Sequence, residues 1–191
     1  MPLKTFDDEN VCVIYDKGNN TIVLLKNEGI ERVISSGDED AFTSSILGII
    51  NLETSRGYAY VDRVWAEKGW GPLLYFIAMA LYQKNGGIAP SRRKGLIKQA
   101  AKNIWYKMFN DERIKHVEIE PVFNEPQLDS LYSFADQSFL NNILSSIKFC
   151  VKSIPRWMED AIEIKLSGEM DKVYEESRQS ILKIIENILG T

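Results

Sequence analysis

One histidine and two cysteines in 191 residues leave little from which to build a metal centre. Structural zinc needs four Cys or His ligands brought together, and His116, Cys12 and Cys150 cannot supply them, so no metal site is expected. The two cysteines stand far apart on apolar backgrounds, which reads as two buried, reduced thiols rather than a disulfide. No stretch approaches the ~20 apolar residues of a membrane span, and Met1 to Asn10 lacks the apolar core of a signal peptide, so a cytoplasmic protein without a membrane partner is expected. Positive charge is also short: 23 Lys and Arg against 27 Asp and Glu give a net charge of −4. A general nucleic-acid binder needs the opposite surplus on one face, so no nucleic-acid partner is expected. One basic run, Arg92-Arg93-Lys94, stands against that background.

What is present is ordinary core material, with 45% hydrophobic residues including eight Tyr, eight Phe and four Trp. That suits one domain with an appended element. Val11 to Tyr15 and Thr21 to Lys26 flank Asp16-Lys17-Gly18-Asn19-Asn20 and read as a hairpin, with Ile30 to Ser35 placed as an extension of the meander. Ser36 to Ser44 is polar and loop-like, with room for a short helical turn. The β-branched run Ser45 to Leu52 and the alternating run Tyr58 to Trp65 are read as central strands. Gly71 to Lys84 is apolar nearly all round, so it predicts a helix covered on several sides. A brief strand, Gly87 to Pro90, then a helix from about Lys94 to Asn110 and a strand Lys115 to Glu120 complete an α/β pattern with a mostly antiparallel start. Beyond the loop between Pro121 and Pro126, Leu140 to Lys152 and Pro155 to Leu166 look helical. Gly168 separates a last segment in which Met170, Tyr174, Ser177, Ile181, Ile184 and Ile188 alternate at spacings of four and three. That stripe is expected to pack on the domain, on a second copy or on a protein partner.

The turn Ala66 to Gly71, between a strand and a helix, carries the most chemistry. Gly69 and Gly71 let backbone approach a ligand closely, and the first-turn amides of the helix present the positive end of its dipole. Such a turn suits a pyrophosphate. Leu74 stands where a Rossmann fingerprint needs its third glycine, and the Gly-Lys-Ser/Thr of a Walker loop is absent. The plainer reading is a tight strand–helix connection, with Trp70 as a core plug and Arg92 and Arg93 as solvated charges.

The string Ala66-Glu67-Lys68-Gly69-Trp70-Gly71 resembles motif A of the GNAT N-acetyltransferases, Gln/Arg-x-x-Gly-x-Gly/Ala between strand and helix. The resemblance covers roughly residues 45 to 120 and continues into Ala101-Lys102-Asn103-Ile104-Trp105, where the family has Ala-x-x-Leu-Tyr. Gly-Trp-Gly-Pro-Leu-Leu-Tyr with a following Ser-Arg turn is similar to GNAT-like proteins of tailed-phage genomes. Taken with the patterns above, the resemblance gives the expectation of an α/β GNAT-like domain over residues 8–135, a mixed, mostly antiparallel sheet flanked by helices, with the helical C-terminal extension over 136–191 read from the chain's own pattern. It implies acetyl-coenzyme A as cofactor, with Lys68, Gly69, Trp70, Gly71 and Leu73 at the pyrophosphate and Arg92 and Arg93 at the 3′-phosphate. The activity implied is acetyl transfer to an amine of a small molecule or protein, with Asp62 as candidate base. Two positions depart from the family: Ala66 replaces Gln or Arg, and Trp105 stands where many members have the Tyr that protonates the leaving thiolate. Tyr106, about 100° further round the helix, is the candidate substitute acid. The departures also suit a second expectation, an inactive member acting as a binding, inhibitory or virion component.

Overall fold

The computed structural model describes residues 10–151 and 154–189. β1 (Val11–Asp16) and β2 (Thr21–Lys26) form the expected hairpin, in register from Val11↔Lys26 to Asp16↔Thr21. The Asp16 carboxylate closes its turn by accepting from the Gly18 and Asn19 amides. Both strands are buried along nearly their whole length, which needs cover on both faces of the sheet.

Ile30 to Ser35 is not a strand. It lies in helix α1 (Ile30–Ser36), bracketed by Gly29 and Gly37 with φ of 71° and 68°. These left-handed glycines start and stop a single short helix, and tertiary packing of Ile30 overrides the β preference of Ile and Val. The polar stretch after it holds α2 (Glu39–Ser45), whose N-cap Asp38 accepts the Ala41 amide and whose Phe42 is buried.

β3 (Ile46–Ser55) and β4 (Tyr58–Ala66) follow, joined by Arg56 and Gly57, both at positive φ. α3 (Gly71–Leu81) is buried from Leu73 to Ala80 and ends in a 3₁₀ turn, Gln83–Asn85, then β5 (Ile88–Ala89). α4 (Gln99–Phe109) starts later than its pattern predicts, because Gly95 sits at positive φ in the segment before it. Trp105 and Met108 form its buried stripe. β6 (Ile114–Glu118) is followed by an unforeseen strand, β7 (Ser130–Phe134). Its serines look like loop residues, yet both are buried, and Ser130 donates to the Pro126 carbonyl. α5 (Gln137–Ser146) and α6 (Arg156–Leu189) close the chain. Gly168 lies inside α6 and does not divide it, since one exposed helical glycine costs only about 1 kcal/mol. The side chains of the stripe Met170 to Ile188 lie outside the described residues. No described helix is long and apolar enough to cross a membrane.

The molecule is an α/β protein with a seven-stranded sheet in the order β1-β2-β3-β4-β5-β7-β6, antiparallel except for the β4–β5 pair. On one face Val13, Leu24, Ile50 and Val61 share a core with α3, with Trp105 of α4 and with Leu140 and Ile143 of α5. On the other, Cys12, Ile14, Val23 and Ile49 pack beneath Phe42 of α2 and Met158, Ala161, Ile162 and Leu166 of α6.

The reading of two reduced thiols is overturned: Cys12 and Cys150 form a disulfide, with Cα atoms 5.3 Å apart. The chain after α5 returns beside β1, where the Val13 amide donates to the Lys148 carbonyl (2.7 Å) and the Cys150 amide to the Val13 carbonyl (3.0 Å). This return brings together side chains separated by 138 positions, which sequence distance does not reveal.

Candidate functional site

The ladder between β3 and β4 is regular from Ser55↔Tyr58 to Leu52↔Val61, then skips, since Asn51 pairs with Arg63. Asp62 is the extra residue of a β-bulge, a feature that bends a strand and re-aims a side chain. The parallel pairing of β4 with β5 also stops here, being limited to Ala59↔Ile88 and Tyr60↔Ala89. Pro90 follows and has no amide hydrogen with which to extend it. From Val61 onward the β5-facing edge of β4 has no strand partner among the described residues.

That open edge leads into the glycine turn. The Glu67 amide donates to the Leu47 carbonyl (2.9 Å), and the Trp70 amide to the Glu67 carbonyl (3.1 Å). Gly69 takes φ of 94°, which a side chain would strain. Trp70 caps α3 without a side-chain acceptor, because indole offers none, and Pro72 lacks an amide hydrogen. The amides of Gly71 and Leu73 therefore start the helix without a side-chain cap. Gly71 backs onto α4, where an added Cβ would meet Ile104 Cδ1 at 3.4 Å. The Trp70 and Leu73 side chains are core, 2% and 1% exposed, so neither side chain is open to a ligand. Lys68 and Glu67 are exposed.

Asp62 sits in a belt of charge. Its carboxylate lies 3.6 Å from Arg63 Nε and 3.4 Å from Arg93 Nη1, and Arg93 also reaches Glu53 at 3.5 Å. Arg63 grips Glu163 of α6 through two bonds of 2.7 and 3.1 Å, which hold that carboxyl below the usual range. The structure thus brings Asp62 and Arg93 together and joins both to the C-terminal helix.

Arg92 is turned elsewhere. It donates to Asp129 Oδ1 (3.2 Å) and to the carbonyls of Leu128 and Glu120. Asp129, 5% exposed, was not legible as important, yet it also accepts the amides of Val122, Phe123 and Glu125. Burial opposes its charge, but these donors and the Arg92 guanidinium outweigh it and hold the carboxyl below its ordinary range. A lowered folded-state pKa gives stability that is present above the unfolded value, about 4, and lost as pH falls through the folded one. Asp129→Asn keeps the shape but sets an NH₂ against amide donors. It should lower stability at neutral pH by about 2–4 kcal/mol. In urea unfolding, its deficit against the wild type should shrink progressively as pH falls below the ordinary carboxylate range, where the wild-type carboxylate protonates and loses its advantage.

Tyr106 donates its hydroxyl to Glu125 Oε2 at 2.5 Å, and this bond holds the phenol above its usual pKa. It lines an open, shallow depression with Asn103, Lys107 and Asn110. Trp105 is buried edge-on against Tyr75, ring centres 5.0 Å apart. His116 stacks on Phe109 at 3.9 Å, a structural role. Lys165 of α6 places Nζ 3.9 Å over the Trp65 ring, and burial holds it below the usual lysine range. No sequence signal marked that pair.

No protein-family model matches the chain, and comparisons with curated proteins and with solved structures find no match either.

Proposed function

We propose that this chain binds acyl-coenzyme A in the manner of the GNAT family and passes the acetyl group to an amine. The observation that carries this reading is the parting of β4 from β5 at the Asp62 bulge, directly before an uncapped helix start. The pantetheine arm of coenzyme A is extended and bears two amides, so it can pair with the free edge of β4 as an added strand does. The pyrophosphate then meets the amides of Gly69, Gly71 and Leu73 and the positive end of the α3 dipole. The amine nitrogen attacks the thioester carbonyl, the C–S bond breaks, and the thiolate leaves. Positioning supplies most of the rate, with Asp62 taking the amine proton.

A second reading, binding without transfer, is favoured by the ion pairs that occupy Asp62 and by the bond that commits Tyr106 to Glu125. Both readings require the cofactor. Coenzyme A and desulfo-coenzyme A should each raise the melting temperature, a ligand at a hundredfold excess over Kd stabilising by roughly 2.7 kcal/mol. ATP should do less, having no pantetheine arm. No shift with millimolar coenzyme A contradicts both readings. Thiol release with an amine panel then separates them: transfer predicts slow release, lowered modestly in Tyr106→Phe, whereas binding alone predicts none in either protein.

A further inference from the structure

After β7 the chain passes from one face of the sheet to the other around the β1 edge. Leu140, Ile143 and Ile147 belong to the first core; Cys150, Val151 and Ile154 pack against the second, where α6 begins. Among the described residues, the crossing is held by two backbone bonds through Val13, which form the isolated bridge Val13↔Phe149, and by the packing of Ile147, Val151 and Ile154, while the Phe149 side chain is 55% exposed. The disulfide lies within it. Cys12 is 2% exposed beneath α6, while Cys150 is partly open to solvent.

We infer that the Cys12–Cys150 disulfide is a redox-controlled clamp that holds the start of α6 on the sheet. A dithiol reductant attacks the more accessible Cys150 Sγ, the S–S bond breaks, and Cys12 leaves as a thiolate and takes up a proton. The second thiol of the reductant then displaces Cys150 from the mixed disulfide, so the protein gains two electrons and two protons and the reductant becomes a disulfide. Once it is cut, the covalent tie is gone and the start of α6 is held by the two backbone bonds and by the packing of Val151, Ile154 and Met158 among the described residues, so it lifts more often. Lifting uncovers Cys12, Ile14 and Val23, parts Trp157 from Phe42 (5.4 Å between ring centres), and frees Arg63 from Glu163 beside the Asp62 bulge. The clamp is independent of what binds at that bulge.

Amide exchange of the full chain, oxidised and after dithiothreitol, tests this. The rate at 147–151 and 156–166, divided by that of β3 and α3, should rise at least about tenfold on reduction, because a local opening separates from the global one. Dividing by the core rate removes any general loss of stability. Cys150→Ser should show the high ratio with or without dithiothreitol. An unchanged ratio in reduced wild type overturns the clamp, as does finding, by alkylation and intact mass, two free thiols in protein oxidised with glutathione disulfide. Because reduced wild type is measured directly, the test does not depend on Cys150→Ser folding.

Discussion

Gly87→Ala is expected to lose more than about 4 kcal/mol of stability, enough to unfold many domains of this size. Gly87 takes φ of 101°, where a side chain is strained, and an added Cβ would stand 1.8 Å from the Tyr132 carbonyl oxygen and 2.7 Å from its carbon. Both are backbone atoms, so relief requires β7 to move away from β5. Those strands meet at Ile88↔Tyr132, and the Tyr132 ring is fully buried against Trp105. Moving it opens the core beneath α4. Gly37→Ala is the matched control: φ is 68°, nothing lies within 4 Å of the added Cβ, and only the left-handed penalty of about 1–2 kcal/mol applies. Urea unfolding of the pair should separate them clearly. Equal midpoints would mean that β5 and β7 are not packed as described.

Reducing the disulfide is expected to lower global stability by about 5 kcal/mol, the chain-entropy value for a closed loop of this length. The cross-link joins positions 138 residues apart, so it removes much of the freedom of the unfolded chain. Urea unfolding with and without dithiothreitol reads the difference directly. A gap below about 1 kcal/mol would mean that the cross-link contributes little beyond the contacts around it.

Local patterns made some of this architecture legible. The β1–β2 hairpin follows from two apolar runs around Gly and Asn, and α3 follows from an apolar block opened by Gly71-Pro72 and closed by Asn85-Gly86-Gly87. Elsewhere the deciding partner lies far along the chain. Ile30 to Ser36 reads as strand by composition, but two left-handed glycines and a core position for Ile30 make it a helix. The serines of β7 look exposed until their burial between β5 and β6 is known. Cys12 meets Cys150 only because the chain doubles back along β1.

The site divides in the same way. The glycine turn was visible because its cause is local: φ at Gly69 and the helix start at Gly71. The bulge at Asp62 was not, since an extra residue in one strand shows only against the register of its neighbour. Arg92 and Arg93 looked alike in sequence, yet one buttresses the loop around Asp129 and the other faces Asp62.

The central claim is that coenzyme A enters where β4 leaves β5 and places its pyrophosphate at the start of α3. Calorimetric titration of coenzyme A into wild type and Gly71→Val tests it most directly. Position 71 has no positive φ and only Ile104 Cδ1 near an added Cβ, so the variant should keep its unfolding free energy within about 1 kcal/mol, while a branched side chain beside the Gly71 amide hinders the close approach of a phosphate. Wild type should bind one coenzyme A per chain, and Gly71→Val should bind at least about tenfold more weakly, a loss of 1.4 kcal/mol or more. Absence of binding to wild type at millimolar coenzyme A, or equal affinity in a folded Gly71→Val, would contradict the account.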